Sequence, residues 1–271
     1  MRSPIRRHRW TAEELRARAD ALDPWFHSID LGHGVVTHGK PVEVQDMEWK
    51  LMDLGSLKGQ TFIDIGGIDG WYALQAEAAG AERAAVLDHY LWFVDRPNCN
   101  RWLDVERRDG GIPVALHETQ WWDPKGMPGK RNIDLALEVL GSRVETIVAD
   151  FATCDVRKVG TWDVVSCLGV LYHMEEPLTY LRRLRRITRR QLIIETEAFV
   201  TPEYPQPMWR FFPFGELNQD VTNWWAPNIG ALLGALGVAG FSNAEVLVDG
   251  PDPLLPNVGL QHFRAVVRAT V

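Results

Sequence analysis

A mainly parallel α/β sheet is the fold that this 271-residue sequence predicts, and three observations predict it. From Thr61 onward, short apolar and β-branched runs alternate with stretches of helical periodicity, the pattern of strands joined by helices. The run "TFIDIGGIDG" at 61–70 reads as a buried strand that ends in a glycine turn and opens a helix. The last segments, "AEVLVDG" and "FRAVVRATV", read as a closing antiparallel pair. Composition agrees, since 46% apolar residues can fill a real core. A formal net charge of −7 weighs against a nucleic-acid partner, although a local basic face remains open. The three cysteines lack paired spacing and fit neither a disulfide framework nor a zinc site, so the expectations are no metal and a reducing cytoplasm. Ile229 to Phe241, the longest apolar run, is too short to span a bilayer; neither a membrane span nor a signal peptide is read.

In chain order, Met1 to Trp10 is an arginine-rich lead, read as a solvated terminus. Thr11 and Glu14 have capping-box spacing before "AEELRARADAL", which predicts a helix ended by Asp23-Pro24. A second helix is expected around Gln45 to Leu54, so that residues 1–57 form a helical extension, or lid, before a cofactor-binding domain at 58–271. The central strand and turn follow, then the helix "WYALQAEAAGA" and a second strand, Ala84 to Leu87, ending in Asp88. The regular pattern then weakens, and residues 107–131, with four glycines and Trp121-Trp122, look like an inserted loop. Alternation resumes with a helix near Asn132 to Leu140, a strand at Glu145 to Ala149, a fourth strand in "WDVVSCLGVLYH" from Trp162, and a helix over Pro177 to Thr188. In that helix Leu178, Leu181, Leu184 and Ile187 form the apolar stripe, and the arginines lie elsewhere as a solvated face. A fifth strand at Gln191 to Glu195 and a helix at Pro227 to Leu236 precede the closing pair.

Ligands of parallel sheets sit beyond the carboxyl ends of the strands, so the candidate residues are sought there. Gly66, Gly67 and Gly70 allow a tight turn and close approach of a ligand to bare backbone, with Asp64 just before them. Asp88, at the end of the next strand, can accept hydrogen bonds from both hydroxyls of a ribose. Asp150 and Phe151 form a polar and aromatic pair suited to an adenine. A nicotinamide-dependent dehydrogenase is the nearest competing reading of these glycines, but Ile65 stands where its first glycine belongs.

These residues resemble the class I S-adenosylmethionine-dependent methyltransferases, which have a Rossmann-like fold. "DIGGIDG" is similar to their first motif, Asp88 to their ribose-binding acid, Asp150 to their adenine-binding acid, and "LGVLYHMEEPLTYLRRL", with Leu168, to their fourth-strand region. Within the class, "LDPW" at 22–25, "GVLYH" at 169–173, "LIIET" at 192–196 and the aromatic-proline step at 224–227 resemble the tRNA wobble-uridine carboxymethyltransferase group. Two departures stand out. Ile68 takes the place of the usual middle glycine, and His27 and Val221 stand where that group carries a lysine and an arginine for the extra carboxylate of its cofactor, which favours ordinary S-adenosylmethionine. The resemblance implies an enzyme that transfers a methyl group to a small-molecule acceptor; the alternatives are tRNA wobble-uridine modification or an intramolecular reaction of the cofactor. Tyr172, expected beside the sulfonium, and His173, a base whose ordinary pKa of about 6.5 suits neutral pH, are the catalytic candidates. Trp25 and His27 from the leader, with Arg210 and Trp224 after the fifth strand, are the candidates for binding the acceptor.

Overall fold

The computed structural model describes residues 10–111, 113–200, 205–250 and 261–271, so the arginine-rich lead, apart from Trp10, lies outside the described residues. The chain divides into two compact units, one running to Gly111 and resuming over Leu116–Asp150, the other made chiefly of Phe151–Val271. The fold is α/β: among the described residues the first unit holds the parallel strands Glu145–Val148, Arg83–Asp88 and Thr61–Ile65, neighbours in that order, and the second holds Trp162–Leu168, Thr188–Val200, Gln261–Thr270 and Asn243–Val248, neighbours in that order, with a separate two-stranded ribbon.

In the first unit, helix α1 (Ala12–Asp20) starts as its sequence demands: Thr11 accepts from the Glu14 N–H and the Glu14 carboxylate accepts from the Thr11 N–H. Helix α2 covers Val42–Met52. Strand β1 (Thr61–Ile65) is buried along nearly its whole length and pairs in parallel with β2 (Arg83–Asp88) through helix α3 (Trp71–Ala78). Strand β2 pairs in turn with β3 (Glu145–Val148), which follows α5 (Arg131–Leu140). Between them runs a helix that periodicity did not announce, α4 (Arg96–Arg108). Asp95 caps it and Pro97 sits in its first turn, but only Arg96 and Cys99 are buried along it, so the sequence shows no apolar stripe. The stretch after α4 contains two single turns of 3-10 helix, Leu116–Glu118 and Pro128–Lys130. Trp122 there lies against Tyr90, Phe93 and His117, with ring centres 5.0, 5.3 and 6.1 Å away.

The second unit begins with the short helix α6 (Val156–Val159), then β4 (Trp162–Leu168), α7 (Pro177–Ile187) and β5 (Thr188–Val200). Strand β5 is much longer than its apolar run suggested, because the antiparallel partner β9 (Gln261–Thr270) pairs with it from Gln191 to Val200. A hairpin-like ribbon, β6 (Trp209–Phe211) with β7 (Trp225–Pro227), precedes α8 (Ile229–Ala239), and β8 (Asn243–Val248) closes on β9. Tyr180, Leu181, Leu184 and Ile187 form the buried side of α7. Its arginines are less idle than a solvated face implies: Arg183 donates to the Phe151 carbonyl at 2.7 Å, Arg185 to the Gly240 carbonyl at 2.7 Å, and the nearby Arg189 pairs with Asp163 at 2.8 Å. Among the described residues no helix is long and apolar enough to cross a membrane.

Candidate functional site

The first constellation is the turn after β1. A Cβ at Gly67 would come within 2.5 Å of Asp64 Oδ2 and 2.8 Å of Val86 Cγ1, so no larger residue fits between the strand ends. Gly70 caps α3 at φ +81°, and a Cβ there would meet Ile133 Cδ1 at 2.7 Å. Between them Ile68 has φ +50°, a left-handed conformation that a β-branched residue adopts only at a cost. Two hydrogen bonds hold it there: its N–H donates to Asp88 Oδ2 at 3.0 Å, and its carbonyl accepts from the Trp92 indole at 2.6 Å. The departure from the usual glycine therefore changes the side chain but keeps the backbone conformation, at the expense of strain.

Asp88 is 5% exposed. Burial pushes its carboxyl above the ordinary value, and the N–H groups of Ile68, His89 and Leu91, with the charge of His89, only partly offset this. Its neighbour Asp69 is fully buried and accepts from the Phe26 N–H at 2.8 Å, from the His27 N–H at 2.9 Å and from His27 Nδ1. Burial also drives Asp69 upward, but His27 and then Arg96 outweigh it, and the carboxyl lies below its usual range. Arg96 is 7% exposed; burial lowers its pKa against the pull of Asp69 and Asp88, and its Nη1 has no hydrogen-bond partner. A buried carboxylate held above its ordinary pKa and an orphaned guanidinium nitrogen beside a close-packed glycine turn form a donor and acceptor set that fits a ribose.

The second constellation lies at the far ends of β4, β5 and β9. Gly169, at φ +72°, has so little room that a Cβ would stand 3.1 Å from Arg264 Nη2 and 3.6 Å from the Tyr172 hydroxyl. Glu197 faces Arg264 across the β5/β9 ladder, and Glu195 lies one step along the same face. Arg264 grips Glu195 with Nε and with Nη2, the latter at 2.7 Å, while its Nη1 donates to Glu197 at 2.9 Å. Burial opposes the charge on Arg264, but the Glu195 contacts prevail and raise its pKa. Its guanidinium also lies 4.8 Å from the Tyr172 ring centre. Burial raises the Tyr172 phenol, with Arg264 acting against it. The His173 ring stands 4.3 Å from that of Tyr172, and its Nδ1 approaches the Thr222 carbonyl at 3.1 Å and the Thr222 hydroxyl at 2.9 Å.

The structure thus gathers Asp64, Gly66, Gly67, Gly70 and Asp88 around one turn, with His27 joined to it through Asp69. Trp25 points instead into the leader, its indole donating to the Ala19 carbonyl at 2.9 Å. Asp150 is half-buried at the end of the first unit. Phe151 opens the second unit, buried beside Tyr180 and under Arg183, at 5.3 and 5.5 Å. Leu168 sits opposite Glu195 in the β4/β5 ladder. Trp224 is tied to the catalytic candidates, since its N–H donates to the Tyr172 carbonyl at 2.8 Å. Arg210 is exposed and packs on Phe212, at 4.7 Å, with His262 beyond it. Asp69, Arg96, Thr222, Asp220 and Arg264 are additions that motif reading missed. For Arg264 a signal existed: "ETE" on one strand and "FRAVVR" on its antiparallel partner place charges of opposite sign on alternating positions.

No protein-family model matches the chain. Among curated proteins it is 27% identical over 206 residues to the tRNA U34 carboxymethyltransferase of Marinobacter nauticus, covering 74% of this chain and 50% of that protein. It is 25% identical over 241 residues to the protein of the same name from Cellvibrio japonicus, covering 88% and 62%. The chain therefore spans about half to three fifths of the length of these relatives. Among solved structures it is similar to the N-terminal domain of EvdMO1 with SAH bound, at TM-score 0.64 and 17% identity, and to the same domain crystallised in the presence of SAH and D-fucose, at TM-score 0.63 and 18% identity. Each likeness covers 98% of this chain and 99% of the other. The fold is that of the class I S-adenosylmethionine-dependent methyltransferases.

Proposed function

We propose that this chain, a class I S-adenosylmethionine-dependent methyltransferase by fold, is an enzyme that uses S-adenosylmethionine to methylate a small-molecule acceptor. The observation that carries the reading is the turn itself. Asp88 accepts from Ile68 at 3.0 Å and is buried with its pKa raised, so an incoming pair of ribose hydroxyls supplies the donors that a buried carboxylate lacks. Gly66, Gly67 and Gly70 leave the backbone bare beside it, and Asp150 and Phe151 are the proposed adenine contacts. When bound, S-adenosylmethionine supplies an activated methyl group on a sulfonium, and the protein's task is alignment and exclusion of water. Tyr172 and His173 are the proposed groups on the acceptor side, with Trp224 bracing their loop. Residues 1–57 are the proposed lid.

Ordinary S-adenosylmethionine, rather than a carboxylated form, is supported by the state of Arg264. Its Nε, Nη1 and Nη2 all donate to Glu195 and Glu197, so this cation is already neutralised from within the chain. A second reading, modification of a tRNA uridine, is favoured by the names of the curated relatives. Against it stand the net charge of −7 and the engagement of Arg183, Arg185 and Arg189 in contacts of their own.

Calorimetry with S-adenosylmethionine, S-adenosylhomocysteine and NAD tests the cofactor: binding of NAD alone replaces the proposal with a dehydrogenase. Incubation of the protein and S-adenosylmethionine with either a metabolite extract or bulk tRNA, followed by mass spectrometry, tests the acceptor. S-Adenosylhomocysteine formed only with the extract supports the small-molecule reading, and formed only with tRNA it supports the second. Methylthioadenosine formed without any acceptor means that the cofactor reacts with itself.

A further inference from the structure

The hydrogen bonds around His173 determine which of its nitrogens carries the proton. A carbonyl oxygen only accepts, so the Thr222 carbonyl, 3.1 Å from Nδ1, requires a donor there. The Thr222 hydroxyl, 2.9 Å from the same nitrogen, leads to the same answer by a second route: it donates its proton to Asp220 Oδ1 at 2.7 Å and so offers His173 a lone pair. Asp220 also accepts from the Thr222 N–H at 2.8 Å, which holds the whole turn in place. Nδ1 therefore bears the hydrogen and Nε2 the lone pair, and among the described residues Nε2 makes no hydrogen bond. We propose that Asp220 and Thr222 are positioning residues that lock His173 as the Nδ1–H tautomer, so that Nε2 is the proton acceptor of the reaction and the methyl acceptor is a protic oxygen or nitrogen nucleophile.

This rests on the methyltransferase reading above. A hydroxyl or amine attacks the methyl carbon through its lone pair, the carbon–sulfur bond breaks onto sulfur to give neutral S-adenosylhomocysteine, and the acceptor's proton passes to Nε2. A thioether acceptor, or a carbon nucleophile already deprotonated before it meets the methyl group, releases no proton and needs no such lock on a neighbouring histidine. The imidazole is surrounded by opposed charges: Asp220 and Glu197 favour its protonation, Arg264 disfavours it, and burial, the largest influence, keeps it neutral at rest. The neutral form is the one that can take a proton.

Long-range ¹H–¹⁵N correlation spectra of the ¹⁵N-labelled full-length protein report the tautomer of each histidine, and comparison with His173→Gln assigns the signal. A pyrrole-type Nδ1 and a pyridine-type Nε2 at neutral pH are expected; the reverse, or an even mixture, overturns the lock. In Asp220→Asn the pKa of His173 is expected to fall and the tautomer to become mixed, and an unchanged pair of signals overturns the role of Asp220. Should Asp220→Asn fail to fold, the wild-type spectrum still decides the tautomer, and should His173→Gln fail to fold, triple-resonance assignment of the wild-type protein identifies the His173 ring. None of these spectra needs cofactor, so a locked tautomer in a protein that ignores S-adenosylmethionine would sink the function and spare the lock. A reaction product bearing its new methyl on carbon or on a thioether sulfur would overturn the acceptor class.

Discussion

The two constellations are built on opposite plans. Around the glycine turn of the first unit, charges are deeply buried and met largely by backbone N–H groups: Asp69 accepts from the Phe26 and His27 N–H groups and from the His27 ring across 42 and 43 positions, and Asp88 holds the Ile68 N–H across 20. At the ends of β4, β5 and β9 in the second unit, charges are partly exposed and the partners lie far apart in the chain, with Arg264 meeting Glu195 across 69 positions. The first plan makes a dry socket in which Asp69 is held ionised by its partners while burial works against the charge on Asp88. The second makes a network whose protonation can vary, because water and several opposed charges share the work.

The largest expected effect strikes the first plan. Asp69→Ala leaves His27 and the buried Arg96 without their shared carboxylate, and unfolding by denaturant should show a loss of about 3 kcal/mol. A loss below about 1 kcal/mol would mean that the socket is no more tightly braced than the network.

Asp88→Asn should act in two directions. Its carboxyl is raised by burial, so in the free protein it contributes stability below the unfolded-state pKa of about 3.9 and loses it as pH rises through the higher folded value. At neutral pH the amide therefore raises the melting temperature of the free protein, while affinity for S-adenosylhomocysteine falls by about 1–3 kcal/mol. Thermal melts with and without ligand read both signs at once.

The second plan should reveal itself in pH. His173 is depressed by burial, so its contribution to stability is complete above the unfolded-state value of about 6.5 and is lost as pH falls through the folded value. Denaturant curves between pH 7 and pH 5 should weaken, and His173→Gln should flatten part of the slope, the rest belonging to His262, which is depressed in the same way. Arg264→Met should raise the pKa of His173 by removing a like charge. No change in the slope with either variant would break the comparison.

The smallest effect tests the strained turn. Ile68→Gly removes the left-handed penalty but frees the unfolded chain, so net stability should move by less than about 1 kcal/mol. A larger loss would show that the half-buried side chain, and not the backbone, is what the turn needs.

What the sequence determined by itself follows from locality. Periodicity and turn residues announced β1 through β5, the capping box of α1 and the closing pair, because each is a pattern within some ten residues. The turn and Asp88 were readable for the same reason, since a glycine turn and a carboxylate at the next strand end are separated by a single helix and motif spacing stands for distance in space, whereas Asp69, whose partners lie 42 and 43 positions away, was not. Helix α4 escaped because its buried side consists of an arginine and a cysteine, which no apolar stripe records. Only the tertiary structure decided the rest. The placement of Arg264 depends on the register of β5 against β9, and the tautomer of His173 depends on a loop 49 positions later that presents a carbonyl and a hydroxyl to the same nitrogen. Such partners are chosen by closure of the sheet and packing of the chain upon itself: alternating charges mark Arg264, Glu195 and Glu197 as candidates, but only the register matches them.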